Sequence, residues 1–272
     1  MTEIICLANS LKMQERCIAG INPATGHWVR PICSQYPDDG RVPSSIRLIN
    51  NQEPSLLDII DIPLEATGNN FGFESENLTI APGKWKKIKS LAATDLLEYC
   101  SETDYILHNS SKYVTVDYLQ SLPSEKSLTL QLIYAEKLLI KEQPGSMLTA
   151  TVWKGSIINQ QGQQLTDVNI TDPAFIEQLE TDYRPSNPCL VTVSLSMPYR
   201  PPNWKKEDAP CWKLIAGVIE LSDIDLILVE MKRLGWTIDQ GRNYLQKHYQ
   251  KCSRSLLTND EIQEFLSYLK YQ

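Results

Sequence analysis

The chain has 272 residues, a formal net charge of −7 and 42% hydrophobic residues. Such a composition builds one large or two modest packed cores and excludes collagen-like, mucin-like and wholesale disordered chains. The acidic balance argues against a protein that coats nucleic acid nonspecifically, because that binding rests on phosphate neutralisation, but a local basic groove stays open. No apolar run reaches the roughly 18–20 residues of a membrane span. The N-terminus, MTEIICLANS, carries no basic segment ahead of its apolar run, so a cytoplasmic location is expected. Seven scattered cysteines without a Cys-x-x-Cys pair, and three distant histidines, predict neither a disulfide framework nor a metal site. No cofactor is expected.

In chain order, Ile4–Ala8, Cys17–Ile21 and His27–Cys33 read as strands of an antiparallel meander, with Asn22, Pro23 and Gly26 turning the chain. Asn9, Ser10 and Lys12 are placed in the first connection, and Arg16 opens the second strand. Trp28 and Arg30 fall two apart on the third strand and so share a face. An indole beside a guanidinium suits a base and its phosphate; a strand Trp can equally plug a core, and an Arg can pair with a carboxylate. Residues 34–51 read as a long loop with room for a short helix, and Pro54–Glu65 as another strand. Asn70–Trp85 is short strand and turn material, and Ala92–Cys100 a helix with Thr94 as N-cap.

The middle of the chain returns to β patterning. Ser127–Lys141 and Leu148–Ile158 read as strands around a polar hairpin tip at Asn159–Gln164. Val168–Ile170 leads through Thr171-Asp172-Pro173 into a helix at Ala174–Leu179. Cys189–Leu195 and Cys211–Leu221 are strands separated by a Pro-rich loop. Five strands and a short helix in each half predict a mainly β fold with α additions: two tandem OB-like five-stranded barrels followed by a small three-helix bundle. The corresponding boundaries are 1–90, a connector at 91–125, 126–221, and 222–272. The final helices are Ser222–Leu234, Thr237–Tyr249 and Thr258–Lys270, with capping-box spacing at Thr237/Gln240 and Thr258/Glu261 and a stop at Gly235. They are expected to stand apart from the barrels.

Bases and aromatics mix in three clusters: Lys12 to Arg30, Trp85 to Lys89, and Tyr199 to Lys213. The candidate ligand residues are Asn9, Ser10, Lys12, Arg16, Trp28, Arg30, Trp85 and Lys86 in the first half. Trp204, Lys205, Lys206, Trp212 and Lys213 extend the set in the second. Arg242, Lys247, Lys251 and Arg254 form either a solvated helical face or a patch that steers toward nucleic acid. There is no phosphate-binding P-loop, nucleophile elbow or His-Glu-x-x-His helix. Asp172 ahead of Pro173 reads as a helix cap.

The motifs CLANSxK, RCIAG and GxWVRP, Glu76-Asn77 ahead of Trp85, and the later ITDP, VSL and WKLIAGVI resemble the bacterial dual OB-containing domain family. The likeness spans roughly Met1–Leu221. It implies two OB-type barrels with a nucleic-acid or nucleotide-binding role, often in bacterial defence. It places Asn9, Ser10, Lys12, Arg16, Trp28 and Arg30 on the first barrel, and Asp172 and Lys213 on the second. The C-terminal helices resemble a small tail of bacterial DNA-handling proteins. The expected function is non-enzymatic binding of single-stranded DNA or RNA, or of a nucleotide. The alternatives are a protein-interaction adaptor docked on a nucleic-acid-processing partner and, third, a nucleotide-acting enzyme.

Overall fold

The computed structural model describes residues 1–100, 104–123, 125–145, 151–202 and 204–272. The expected strand start at residues 148–150 therefore lies outside the described residues. The first half holds strands β1 (Thr2–Lys12), β2 (Glu15–Ile21), β3 (Trp28–Ile32), β4 (Asp58–Ile62), β5 (Asn77–Thr79) and β6 (Lys86–Ser90), with the one-turn helix α1 (Ser44–Arg47) after β3. Neighbours run β5-β3-β2-β1-β4-β6. A bridge between Leu64 and Ile80 joins the continuations of β4 and β5.

The second half holds β7 (Tyr113–Thr115), α2 (Val116–Ser121), β8 (Leu130–Pro144), β9 (Thr151–Asn159), β10 (Gln164–Ile170), α3 (Pro173–Glu180), β11 (Cys189–Leu195) and β12 (Pro210–Glu220). Here a parallel β10–β12 pairing closes five strands into a barrel, and β7 adds to the outer edge of β12. Both halves share one path: the third strand runs parallel to the fifth, and the first lies beside the fourth. A helix falls between strands three and four in each. Asp172 caps α3 by accepting from the N–H groups of Ala174 and Phe175 at 3.1 and 3.2 Å. Its second oxygen accepts from Val218 N–H at 3.0 Å, which fastens the helix start to β12.

Three expectations change. Asn9, Ser10 and Lys12 lie within β1, which pairs with β2 as far as Lys12–Glu15. The connection is only Met13-Gln14, both at positive φ (49° and 68°), as a tight hairpin turn of this twist requires. Residues 93–99 form a 3₁₀ helix capped by the Asp95 carboxylate, which accepts from Ala92 N–H at 3.1 Å, so Thr94 is not the cap. The supposed connector supplies β7 to the second sheet.

Helices α4 (Asp223–Arg233), α5 (Ile238–Tyr249) and α6 (Asn259–Lys270) follow. Ser222/Asp225, Thr237/Gln240 and Thr258/Glu261 form reciprocal caps, and Gly235 takes φ +67° after α4. The helices do not stand apart. Leu226, Ile227, Phe265 and Leu269 share one buried cluster with Ile5, Leu7, Leu132 and Leu190 of the strands, because each helix has a single apolar stripe that needs cover. No described helix is long and apolar enough to cross a membrane.

Small residues bring the barrels together. Ala8 and Ala19 of the first pack with Leu130 and Ala216 of the second. A Cβ on Gly217 would lie 2.2 Å from the Leu7 carbonyl oxygen, so the two backbones nearly touch there. Leu11 N–H donates to Thr171 O across the junction at 2.7 Å. The Ile-Ala-Gly triplet thus occurs twice, at 18–20 and 215–217, and both copies lie in the zone of closest packing.

Candidate ligand cleft between the two barrels

Beyond the Ala8–Ala216 contact the barrels part and leave a cleft of about 1030 Å³, at the upper end of small-ligand sites. The alternation of β1 explains its wall. Ala8 faces the second barrel, Ser10 and Lys12 continue that face into the cleft, and Cys17 stands opposite Ser10. The second barrel contributes Lys112, Lys154, Asp167, Trp212 and Lys213, and the loop after β3 contributes Tyr36, Asp39 and Arg41. Lys12 Nζ donates to Asp39 O at 2.6 Å and ties this loop to the end of β1. The Arg41 guanidinium lies 4.3 Å from the Tyr36 ring centroid and 3.6 Å from Asp39.

An aromatic ledge adjoins the cleft. Tyr113, Trp204 and Trp212 have ring centroids 5.1–5.6 Å apart, the spacing of attractive edge and tilted pairs. Lys206 Nζ sits 5.5 Å above Tyr113 and 5.9 Å above Trp204. Trp212 is directly opposite Tyr113 in the β7–β12 pair and also lines the cleft, so ledge and cleft are continuous.

The sequence-selected residues separate by face. Ser10, Lys12, Arg30, Trp212 and Lys213 reach the cleft wall, but two of them are engaged internally. Arg30 is 3% exposed. It pairs with Glu74 and, at 3.0 Å, with Glu76, and it donates to Thr129 Oγ1 at 3.0 Å. Burial opposes its charge, yet the two carboxylates outweigh that and hold the guanidinium above its ordinary pKa. Burial in turn raises Glu76 despite Arg30. The expectation that Arg30 meets phosphate is corrected: its charge is spent on locking β3, the 74–76 loop and the start of the second barrel together.

Lys213, 1% exposed, donates to Ile106 O and Asn109 O at 2.6 Å each and to Asn109 Oδ1 at 3.2 Å. It secures a turn in which Leu107 and His108 both have positive φ. Burial brings its ammonium down to about 7, while the three oxygens act in the opposite sense. Its role as a groove cation is likewise corrected, because all three donors point into the protein.

Asn9 and Arg16 lie on the other face of the β1–β2 hairpin. Asn9 Nδ2 donates to Pro54 O at 2.8 Å beside the Arg47–Glu53 pair of 2.7 Å. Burial works against the Glu53 carboxylate, but Arg47, helped by Asn9 and Arg16, keeps its pKa below the ordinary value. These residues plug the end of the first barrel. Trp28 is half-buried against the interface clusters. Trp85, 4% exposed, is inside the first barrel with Ile4, Cys6 and Ile18. The Trp85 indole therefore offers no stacking face, while Trp28 packs at the junction of the barrels. Lys86 is exposed on the edge strand β6, and Lys205 is exposed beside Trp204.

Two of the four helical cations are paired with carboxylates. Arg242 pairs with Asp239 at 3.5 Å and Lys251 with Glu261, while Lys247 is exposed and Arg254 half-buried. Glu261 comes from α6, outside the stretch that carries these four cations. Among the described residues no three His, Cys, Asp or Glu side chains gather as metal ligands. Burial raises the Cys6 thiol far above its ordinary value and pushes Cys100, Cys189 and Cys211 up to about 12, which disfavours the nucleophilic thiolate at these four.

Sequence reasoning missed Tyr36, Arg41, Lys112, Tyr113, Lys154 and Asp167. Lys112-Tyr113 does carry the same base–aromatic signal, but inside a segment read as a connector. The bacterial protein of Synechocystis described as "Uncharacterized protein slr1353" is 51% identical over 61 residues, covering 22% of this chain and 21% of that protein. The chain thus matches about a fifth of that relative's length. No solved structure gives a significant match. The family comparison matches residues 2–218, the span of both barrels and not the C-terminal helices. With two barrels of one path joined through paired Ile-Ala-Gly segments, the chain belongs to the dual OB-containing domain family.

Proposed function

We propose that the protein binds single-stranded nucleic acid, with one segment seated in the inter-barrel cleft and its neighbour stacked on the Trp204–Trp212–Tyr113 ledge. The observation that carries this reading is the double position of Trp212, whose ring belongs to both surfaces. The three ledge rings are half-buried; a ring face open to solvent accepts any base, and each stacked base contributes about 1–3 kcal/mol. Lys12, Lys112, Lys154 and Lys206 supply backbone contacts without making the acidic whole a general nucleic-acid coat. OB frames commonly serve this purpose.

The test is a titration of labelled DNA and RNA strands of about 15 nucleotides at about 50 and about 200 mM salt. Binding is expected at low salt, weakening steeply at high salt, and Trp204→Ala lowers it at both. Absence of binding by either polymer at low salt refutes the proposal.

A further inference from the structure

One lysine pairs with a carboxylate beside the cleft, and two more carry their charge near enough to act on it. Lys141 and Lys154 stand directly opposite each other in the β8–β9 pair, on the outward face that also carries Ser156. Like charges so placed repel. Lys112, just before β7, joins them from the other side: its Nζ lies 3.2 Å from Asp167 Oδ2 and 3.5 Å from Asp167 O. Lys112 is held in place because its carbonyl accepts from Lys213 N–H at 2.9 Å. Asp167 is on a bulge of β10, where the register with β9 shifts between Leu165 and Val168. It takes φ +61° and donates its N–H to Ser156 Oγ at 3.0 Å. A bulge re-aims a side chain, and here it aims a carboxylate at Lys112. All three lysines lower the Asp167 pKa, Lys112 most, so all three ammonium groups act on it. The cluster keeps two positive charges that this carboxylate does not answer.

We propose that Lys112, Lys141 and Lys154 form a phosphate-group site at the cleft, in which Asp167 is a built-in competitor that a ligand phosphate displaces from Lys112. This deepens the single-strand reading and rests on it for the polymer. Lys112 precedes the ledge ring Tyr113 by one residue, so a phosphate here and a base on the ledge belong to adjoining parts of one strand. Asp167 then sets affinity: it holds Lys112 in place in the free protein and weakens the complex.

Asp167→Asn tests the site by gain of binding. Asn tolerates positive φ and keeps the bulge, so loss of fold does not confound the result. For a labelled single strand, Asp167→Asn is expected to bind about 3–10-fold tighter at low salt. Its slope of log affinity against log salt should steepen by about 0.7, the increment for one added phosphate contact. Lys141→Ala/Lys154→Ala is expected to bind more weakly with a shallower slope. Unchanged affinity and slope in Asp167→Asn, with the wild-type protein binding normally, overturns the phosphate site and leaves the single-strand reading standing. If the wild-type protein binds no strand, that reading has failed, and inorganic pyrophosphate decides the site by titration calorimetry. Heat from the wild type that grows in Asp167→Asn and vanishes in the double variant supports the site; its absence overturns it.

Discussion

Gly217→Ala puts the barrel junction to a direct test. An added Cβ would sit 2.2 Å from Leu7 O, 3.3 Å from its carbonyl carbon and 3.4 Å from Leu56 Cδ1. Carbon and oxygen approach no closer than roughly 3.3 Å, so β1 and β12 must separate by about 1 Å. The two nearest atoms, Leu7 O and its carbonyl carbon, are strand backbone, which cannot rotate aside as the Leu56 side chain can. Separation also strains the Leu11–Thr171 hydrogen bond and opens the packing of Ala8, Ala19, Leu130 and Ala216. Overpacking costs about 1–3 kcal/mol where side chains share the adjustment, and this site belongs at the top of that range, about 3 kcal/mol. Urea unfolding of the two proteins measures it. Gly162→Ala is the control: it has φ +76° and nothing within 4 Å of the added atom, so only backbone strain of about 1 kcal/mol applies. A loss below about 0.5 kcal/mol for Gly217→Ala would refute the claim that the barrels meet backbone to backbone.

Other expectations follow from the same geometry. Arg30→Ala leaves Glu74 and Glu76 buried without their cation and should cost about 3–5 kcal/mol in urea unfolding; a loss under 1 kcal/mol would mean the carboxylates reach solvent. Trp204→Ala should weaken strand binding by about 1–3 kcal/mol with little change in stability, and Trp28→Ala should do the reverse. Equal binding losses in both would return Trp28 to the ligand. The ordinary Lys213 value of 10.5 falls to about 7 on folding, so between those pH values the unfolded chain holds a proton that the folded one lacks, and stability rises with pH. The ceiling is about 5 kcal/mol, reduced by the three carbonyl acceptors and reversed above about pH 9 as thiols raised by burial favour the unfolded chain. Unfolding midpoints from pH 7 to 8.5 should climb in the wild type and stay flat in Lys213→Met; a flat wild-type profile means the hydrogen bonds keep the ammonium charged.

Much of the architecture was legible in linear order because its signals are local. A continuous apolar, β-branched run marked Cys189–Leu195, the spacing of a hydroxyl to a Gln or Glu three residues on marked the starts of α5 and α6, and Asp172-Pro173 marked α3. Strand β7 was missed because three residues on a sheet edge are specified by their partner β12, not by their own pattern. The site divided in the same way. Alternation along β1 necessarily puts Ser10 and Lys12 on one face and Asn9 on the other, but only the second barrel decides which face lines a cleft. Arg30 and Lys213 announced themselves as cations; their neutralising partners, Glu74 with Glu76 and the carbonyls of Ile106 and Asn109, come from distant segments. Charge, size and periodicity belong to a residue and its neighbours in the chain, so sequence alone determined them. Whether a charge is free to meet a ligand depends on which groups folding brings within a few ångströms, and that was decided only by the tertiary structure of each half.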